Sequence, residues 1–167
     1  KELEKVLAWS DGVNQTIREV VYNLPPMPGA LKSLQLLQGR ADLIVISNTP
    51  LVALHREWQE HHITNTVSAI GGQETGSKTE MLTAATADKY PLDHILLIGD
   101  SPGDFHVAQY VNTLFFPIIP RQEADSWQLF LAEGLDRFFG GRFTGPFQDE
   151  RVADFHTALR NGPPWQP

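Results

Sequence analysis

The sequence predicts a mixed α/β protein built on a parallel sheet, and three observations predict it. Short, almost wholly apolar runs, among them Leu43–Ile46, Ile95–Ile98 and Leu114–Ile118, read as strands buried on both faces. Between them lie stretches whose apolar residues recur at three- and four-residue spacing, the period of an amphipathic helix. A purely helical amino-terminal stretch is set off from this alternation by Pro25-Pro26-Met27-Pro28-Gly29.

Taken in order, Leu3, Val6, Leu7, Val13, Ile17, Val20, Val21 and Leu24 predict a helix over Lys1–Asn23. Gly12 lies inside it and allows a split into two helices, with Ser10 or Asp11 capping the second. The proline cluster ends the helix, because proline has no amide hydrogen and pushes the residue before it out of helical geometry. It marks a boundary between residues 1–24 and residues 25–167. The alternation that follows predicts helix Ala30–Leu37, strand Asp42–Ser47, helix Pro50–His61, strand Val67–Ile70, helix Lys78–Lys89, strand His94–Gly99, helix Asp104–Asn112 and strand Leu114–Ile118. A further helix over Ala124–Phe138 carries Trp127, Phe130, Leu131, Leu135 and Phe138 on one face and stops at Gly140-Gly141. The tail holds a helix-like piece near Glu150–Leu159 and closes on Pro163-Pro164-Trp165. Phe139, Phe143, Phe147 and Phe155, with Trp127, Phe130, Phe138 and Trp165, read as packing of this region on the core rather than as a stacking platform.

Length and composition narrow the functions available. A chain of 167 residues is long enough for one sizeable core. With 13 basic against 20 acidic residues it carries net charge −7, the wrong sign for a surface that gains affinity by neutralising nucleic-acid phosphates. No apolar run approaches the roughly 20 residues of a membrane helix. The absence of cysteine removes disulfides, thiolate metal sites and a cysteine nucleophile, and it suits a reducing, cytoplasmic compartment. The six histidines are scattered, and none of their spacings matches a zinc motif, so they read as surface residues.

In parallel α/β sheets ligands bind beyond the carboxyl ends of the strands. Three such places stand out. Ser47-Asn48-Thr49-Pro50 ends an apolar strand just ahead of a helix start, where free amides and the helix dipole favour an anion; simple capping of the helix by Ser47, Asn48 or Thr49 explains the same residues. Gly99-Asp100-Ser101-Pro102-Gly103-Asp104 places two carboxylates on a tight turn after a buried strand, hard oxygen donors suited to Mg²⁺. Capping accounts for Asp104 but less well for Asp100, which at the end of a buried strand needs a cation or several donors. Gly71-Gly72-Gln73-Glu74-Thr75-Gly76-Ser77-Lys78 has the glycine spacing of a P-loop but fails its test, since Ser77 separates the second glycine from the lysine. Lys78, at a helix start where the dipole disfavours cations, is either a solvated surface residue or a cation aimed at a bound anion.

In this order, hydroxyl, lysine and paired aspartates, the sequence resembles the haloacid dehalogenase-like hydrolase superfamily. Ser47-Asn48, Lys78 and Gly99–Asp104 look like its second, third and fourth motifs, over about Pro28 to Pro120, and Pro28-Gly29 looks like its re-entry from cap to core. The resemblance implies a Rossmann-like three-layer core preceded by the helical remnant of a cap domain. It implies hydrolysis of a small phosphorylated metabolite through an aspartyl-phosphate, with Mg²⁺ as cofactor. Ser47 would donate to a phosphoryl oxygen and Asn48 would add its backbone amide. Lys78 would pair with the phosphate and the nucleophile. Asp100 would ligate the metal, and Asp104 would ligate it or hold a metal-bound water.

The family's first motif, an Asp-x-Asp that supplies the nucleophile, has no counterpart here. The nearest candidate, Ser10-Asp11-Gly12, puts Trp9 at the nucleophile's position and lies in a helical pattern. By resemblance the strand bearing that motif lies between Asp42–Ser47 and His94–Gly99, so its absence leaves a hole in the sheet. We therefore expect the first strand and most of the cap upstream of Lys1, Lys1–Leu24 to be the end of the cap, and residues 1–167 alone to be inactive. Competing readings are a pseudo-hydrolase or binding module and, within the family, a dehalogenase or phosphonatase; the two aspartates favour metal and phosphate over dehalogenation. Arg121, after the last strand, is a further candidate for reaching substrate.

Overall fold

The structure, a computed structural model, describes residues 1–20, 22 and 24–160, without the side chains of Arg18 and Arg160. It is a mixed α/β fold. The first helix, α1 (Glu2–Val20), runs without a break through Gly12, so Ser10 and Asp11 cap nothing. An open flank explains the tolerance: a side chain at Gly12 would meet no atom within 4 Å, and glycine inside a helix costs only about 1 kcal/mol. The apolar stripe of α1 is largely uncovered, with Leu3 at 85% and Leu7 at 63% exposure.

Gly29 re-starts the chain. It adopts φ +92° as the cap of α2 (Ala30–Leu37), and a Cβ there would stand 2.7 Å from Trp127 Cβ, so only glycine fits the approach. Strand β1 (Ile44–Ile46) is followed by α3 (Leu51–Glu60), β2 (Ala69–Gly71) and α4 (Lys78–Thr86). Strand β3 (Leu96–Gly99) is followed by α5 (Pro102–Val111) and β4 (Leu114–Pro117). Helix α4 stops short of Lys89 because Asp88 turns to φ +54°, and α3 stops ahead of His62 for the same reason. The strands are shorter than their apolar runs, although single bonds such as Ser68 N–H to Leu43 O continue the ladder.

The sheet is not continuous. β1 pairs with β2 in parallel, Ile44 opposite Ala69, and β3 pairs with β4 in parallel, Leu96 opposite Leu114; no ladder joins the two pairs among the described residues. The parallel sheet that the sequence predicts, with a hole expected between Asp42–Ser47 and His94–Gly99, is observed as two two-stranded halves. Burial follows the division. Every residue of β4 is buried, whereas all of β1, together with Leu96 and Ile98 of β3, is only half-buried despite being apolar.

Alternation of side chains sends β4 to two cores. On one face Leu114 and Phe116 pack with Leu37, Phe130, Leu135, Phe143 and Phe147. On the other Phe115 packs with Leu82, Leu97, Ala108 and Phe155, and Ile46 of β1 leans on this cluster. The aromatic tail is therefore core, as its composition predicted, with the exception of Phe139, which is 39% exposed beneath the Arg40 guanidinium. Trp165 and the prolines before it lie outside the described residues.

Three further helices and a π-turn complete the fold of the described residues. The stretch predicted as one helix over Ala124–Phe138 comprises α6 (Glu123–Leu129), a π-turn over Phe130–Gly134 and α7 (Leu135–Phe139). The Phe130 ring lies over Gly134, where a Cβ would be 2.5 Å from it. Helix α8 (Pro146–Arg160) begins earlier than the sequence predicts and carries Phe147 and Phe155 into the two cores.

Phe116 is 1% exposed, with ring centres of Phe130 and Phe147 at 5.1 and 6.4 Å. Phe116→Ala is expected to lower stability by about 3–5 kcal/mol and Phe139→Ala by under about 1 kcal/mol, measured by urea unfolding.

Candidate active site

Parallel pairing brings the carboxyl ends of β1 and β2 to one edge and those of β3 and β4 to another, and one ion pair joins them. Lys78, the first residue of α4, follows β2; Asp104, on the first turn of α5, follows β3. The Lys78 ammonium lies 2.5 Å from Asp104 Oδ1.

Both partners are placed by local sequence. Ser77-x-x-Glu80 and Ser101-x-x-Asp104 each form a capping box at the start of their helix. In the second, Asp104 Oδ2 accepts the Ser101 hydroxyl at 2.7 Å and its N–H at 3.1 Å, while the Asp104 N–H returns to Ser101 Oγ. The capping reading of Asp104 holds, and the same carboxylate serves Lys78 with its other oxygen. Lys78 is accordingly neither freely solvated nor unpaired. Gly99 makes room: a Cβ there would come within 2.4 Å of Asp104 Cβ.

Asp104 is 6% exposed. Burial by itself would raise its pKa, but the hydrogen bonds from Lys78 and Ser101 and the lysine charge outweigh it and hold the carboxyl below its ordinary value. Asp100 is different. It is exposed at the mouth of the same turn, and its side chain makes no hydrogen bond or ion pair among the described residues.

The loop after β1 corrects one sequence expectation. None of Ser47, Asn48 and Thr49 caps α3; its cap position is Pro50, with no side-chain bond. Leu51 N–H donates instead to Glu74 Oε2 at 2.9 Å, from the loop after β2. Ser47 Oγ accepts Thr49 N–H at 3.1 Å, which leaves its own hydroxyl hydrogen available to an acceptor, and Asn48 is exposed. Sequence reasoning missed Glu74, because the bond spans 23 positions and no local pattern announces it. Arg121 lies exposed after β4 at φ +70°, its N–H on Glu123, and among the described residues no hydrogen bond or ion pair joins it to the other candidates.

The structure thus brings Lys78, Ser101 and Asp104 into contact, ties the Ser47 loop to the loop leading into Lys78, and leaves Asp100 free beside them. Trp9, Ser10 and Asp11, the nearest sequence match to the nucleophile motif, lie within helix α1 rather than at the end of a strand. Among the described residues no three His, Cys, Asp or Glu side chains converge as a metal cluster. Mg²⁺ asks for less than that, one or two carboxylates with water and phosphate filling the rest, and the donor chemistry of Asp100 and Asp104 fits it. Asp100 has both oxygens free, whereas Asp104 has both engaged. Against known proteins the chain matches no family model, no curated sequence and no solved structure.

Because the folded pKa of Asp104 is depressed, its contribution to stability is complete above the unfolded value near 4 and is lost as pH falls through the folded one. Asp104→Asn is expected to cost about 2–3 kcal/mol at neutral pH. In urea unfolding the gap between wild type and variant should be constant from about pH 6 to 8 and close below about pH 4.

Proposed function

We propose that this chain supplies the phosphate- and Mg²⁺-holding edge of a phosphoaspartate-type hydrolase acting on small phosphomonoesters, with the nucleophilic aspartate contributed by a segment outside this sequence. The observation that carries the reading is the Lys78–Asp104 pair at the carboxyl ends of the strands, with the Ser47 hydroxyl hydrogen uncommitted on the loop beside it. A lysine held by a buried carboxylate is fixed in direction, and an oriented ammonium is what a phosphoryl group with charge spreading over its oxygens requires. In this reading Ser47 donates to a phosphoryl oxygen, Asn48 offers its backbone amide, and Lys78 bridges phosphate and nucleophile. Asp100 would hold Mg²⁺, and Asp104 would hold it or its water shell. Bound there, the cation would supply charge neutralisation at the phosphoryl oxygens. Attack of the aspartate on phosphorus breaks the ester P–O bond and releases the alcohol; water then hydrolyses the acyl phosphate.

The divided sheet supports the same reading. The apolar, half-buried β1 and β3 each have a partner on one side only, as two strands flanking a place for a third would. Helices on both faces of β3–β4 suit the three-layer core, and the uncovered stripe of α1 suits the end of a cap. One observation favours a non-catalytic pseudo-hydrolase instead: no Asp-x-Asp occurs in the sequence at all.

Hydrolysis of p-nitrophenyl phosphate by the natural full-length protein, with and without Mg²⁺, tests the proposal. Turnover should need the metal, and Lys78→Ala should lower it by about 10²–10³-fold. Residues 1–167 alone should give none; turnover by that chain would overturn the external nucleophile, and no turnover by the natural protein would leave the pseudo-hydrolase.

A further inference from the structure

Helix α3 begins without a cap of its own, and what replaces it ties two loops of the candidate site together. Pro50 has no side-chain acceptor, and Leu51 N–H is met by Glu74 Oε2 at 2.9 Å. Around this bond the loops touch backbone to backbone. Gln73 N–H donates to Thr49 O at 3.0 Å, and Ser47 N–H donates to Gly71 O at 3.0 Å. A Cβ on Gly72 would stand 2.7 Å from Leu51 N and 2.9 Å from Thr49 O, so glycine there is a condition of the contact. Thr75 Oγ1 accepts Gly72 N–H at 3.2 Å and closes the turn behind it. Glu74 itself is exposed, so burial does not force its position; the bond to Leu51 does. That bond also lowers the pKa of the carboxyl and keeps it ionised, which suits a helix start.

The segment Glu74–Lys78 is consequently fixed at both ends, on α3 by Glu74 and on α4 by the Ser77–Glu80 capping box. We propose that Glu74 is a positioning residue of the candidate site: its carboxylate clips the Ser47–Pro50 loop to the loop entering α4 and so sets the spacing between the Ser47 hydroxyl and the Lys78 ammonium. The consequence for turnover rests on the phosphatase reading; the clip itself does not. A cap drawn from Ser47, Asn48 or Thr49 would satisfy the helix equally well but leave the two loops independent.

Amide hydrogen exchange and phosphomonoester kinetics on the natural full-length protein test this with Glu74→Ala and Glu74→Gln, the glutamine keeping an oxygen for Leu51 N–H. In Glu74→Ala, exchange is expected to rise about tenfold or more at both Leu51 and Gln73 and to stay unchanged in α8, with Glu74→Gln within about threefold of wild type. With p-nitrophenyl phosphate, Glu74→Ala should lower kcat about fivefold or more, and Glu74→Gln should restore most of it. Faster exchange confined to Leu51, a glutamine variant as fast as the alanine one, or an alanine variant with wild-type kcat would each overturn the positioning role. The expected exchange pattern in a protein that hydrolyses no phosphomonoester would sink the phosphatase reading while the clip stands.

Discussion

A buried carboxylate that must satisfy two demands at once organises this fold. Asp104 closes the amino-terminal turn of α5 with one oxygen and holds Lys78 of α4 with the other. The first bond is local and comes from the Ser-x-x-Asp spacing; the second crosses from one half-sheet to the other. Around it the requirements are strict: Gly99 leaves the space, Ser101 supplies two donors, and Lys78 is delivered by a second capping box of the same design. These donors outweigh the desolvation of Asp104 and hold its carboxyl below the ordinary value. Removing Lys78 would leave a buried carboxylate without its counter-charge.

The two halves differ in how finished they are. β3–β4 lies between two cores, one of phenylalanines contributed by the π-turn, α8 and the loop before it, the other shared with α4 and α5. β1–β2 has no such double cover. Its strand residues are as apolar as those of β4, yet β1 is half-buried throughout. Composition fitted for a two-sided interior therefore meets one that is only partly built, and the shortfall falls on the strand edges without a ladder.

Most of the element order was legible because it is written locally. Apolar runs of four or five residues separated by amphipathic stretches gave the four strands and helices α2 to α5 in the right order, and Ala30–Leu37 to the residue, while the one helix expected over Ala124–Phe138 is α6, a π-turn and α7. The Ser-x-x-Glu and Ser-x-x-Asp boxes of α4 and α5 are equally local, yet only the capping role of Asp104 was read from the sequence. What escaped is what depends on distance. The Glu74 clip joins residues far apart in the chain, so Ser47, Asn48 and Thr49 looked like the natural caps of α3. The direction of Lys78 depended on a partner 26 positions away. Gly12 looked like a break because propensity is local, whereas the chain simply continues where nothing obstructs it. The missing ladder between β1 and β3 cannot be read from hydropathy, since an unpaired apolar strand and a paired one have the same composition.

The π-turn at Phe130–Gly134 carries a consequence of its own. At about 100° per residue, two side chains five positions apart on a regular helix diverge by about 140°. Phe130 and Leu135 are five apart and both belong to one core, because the widened turn, closed by Leu135 N–H on Phe130 O, brings them round to the same side. The widened turn thus takes up one residue more than an ordinary helix would use between these two contacts. A chain one residue shorter here would regain an ordinary helix with the pair four apart, about 40° from alignment, whereas the same residues wound as a regular helix would carry α7 about 100° out of register with the core, so the turn works as a phase-preserving insertion.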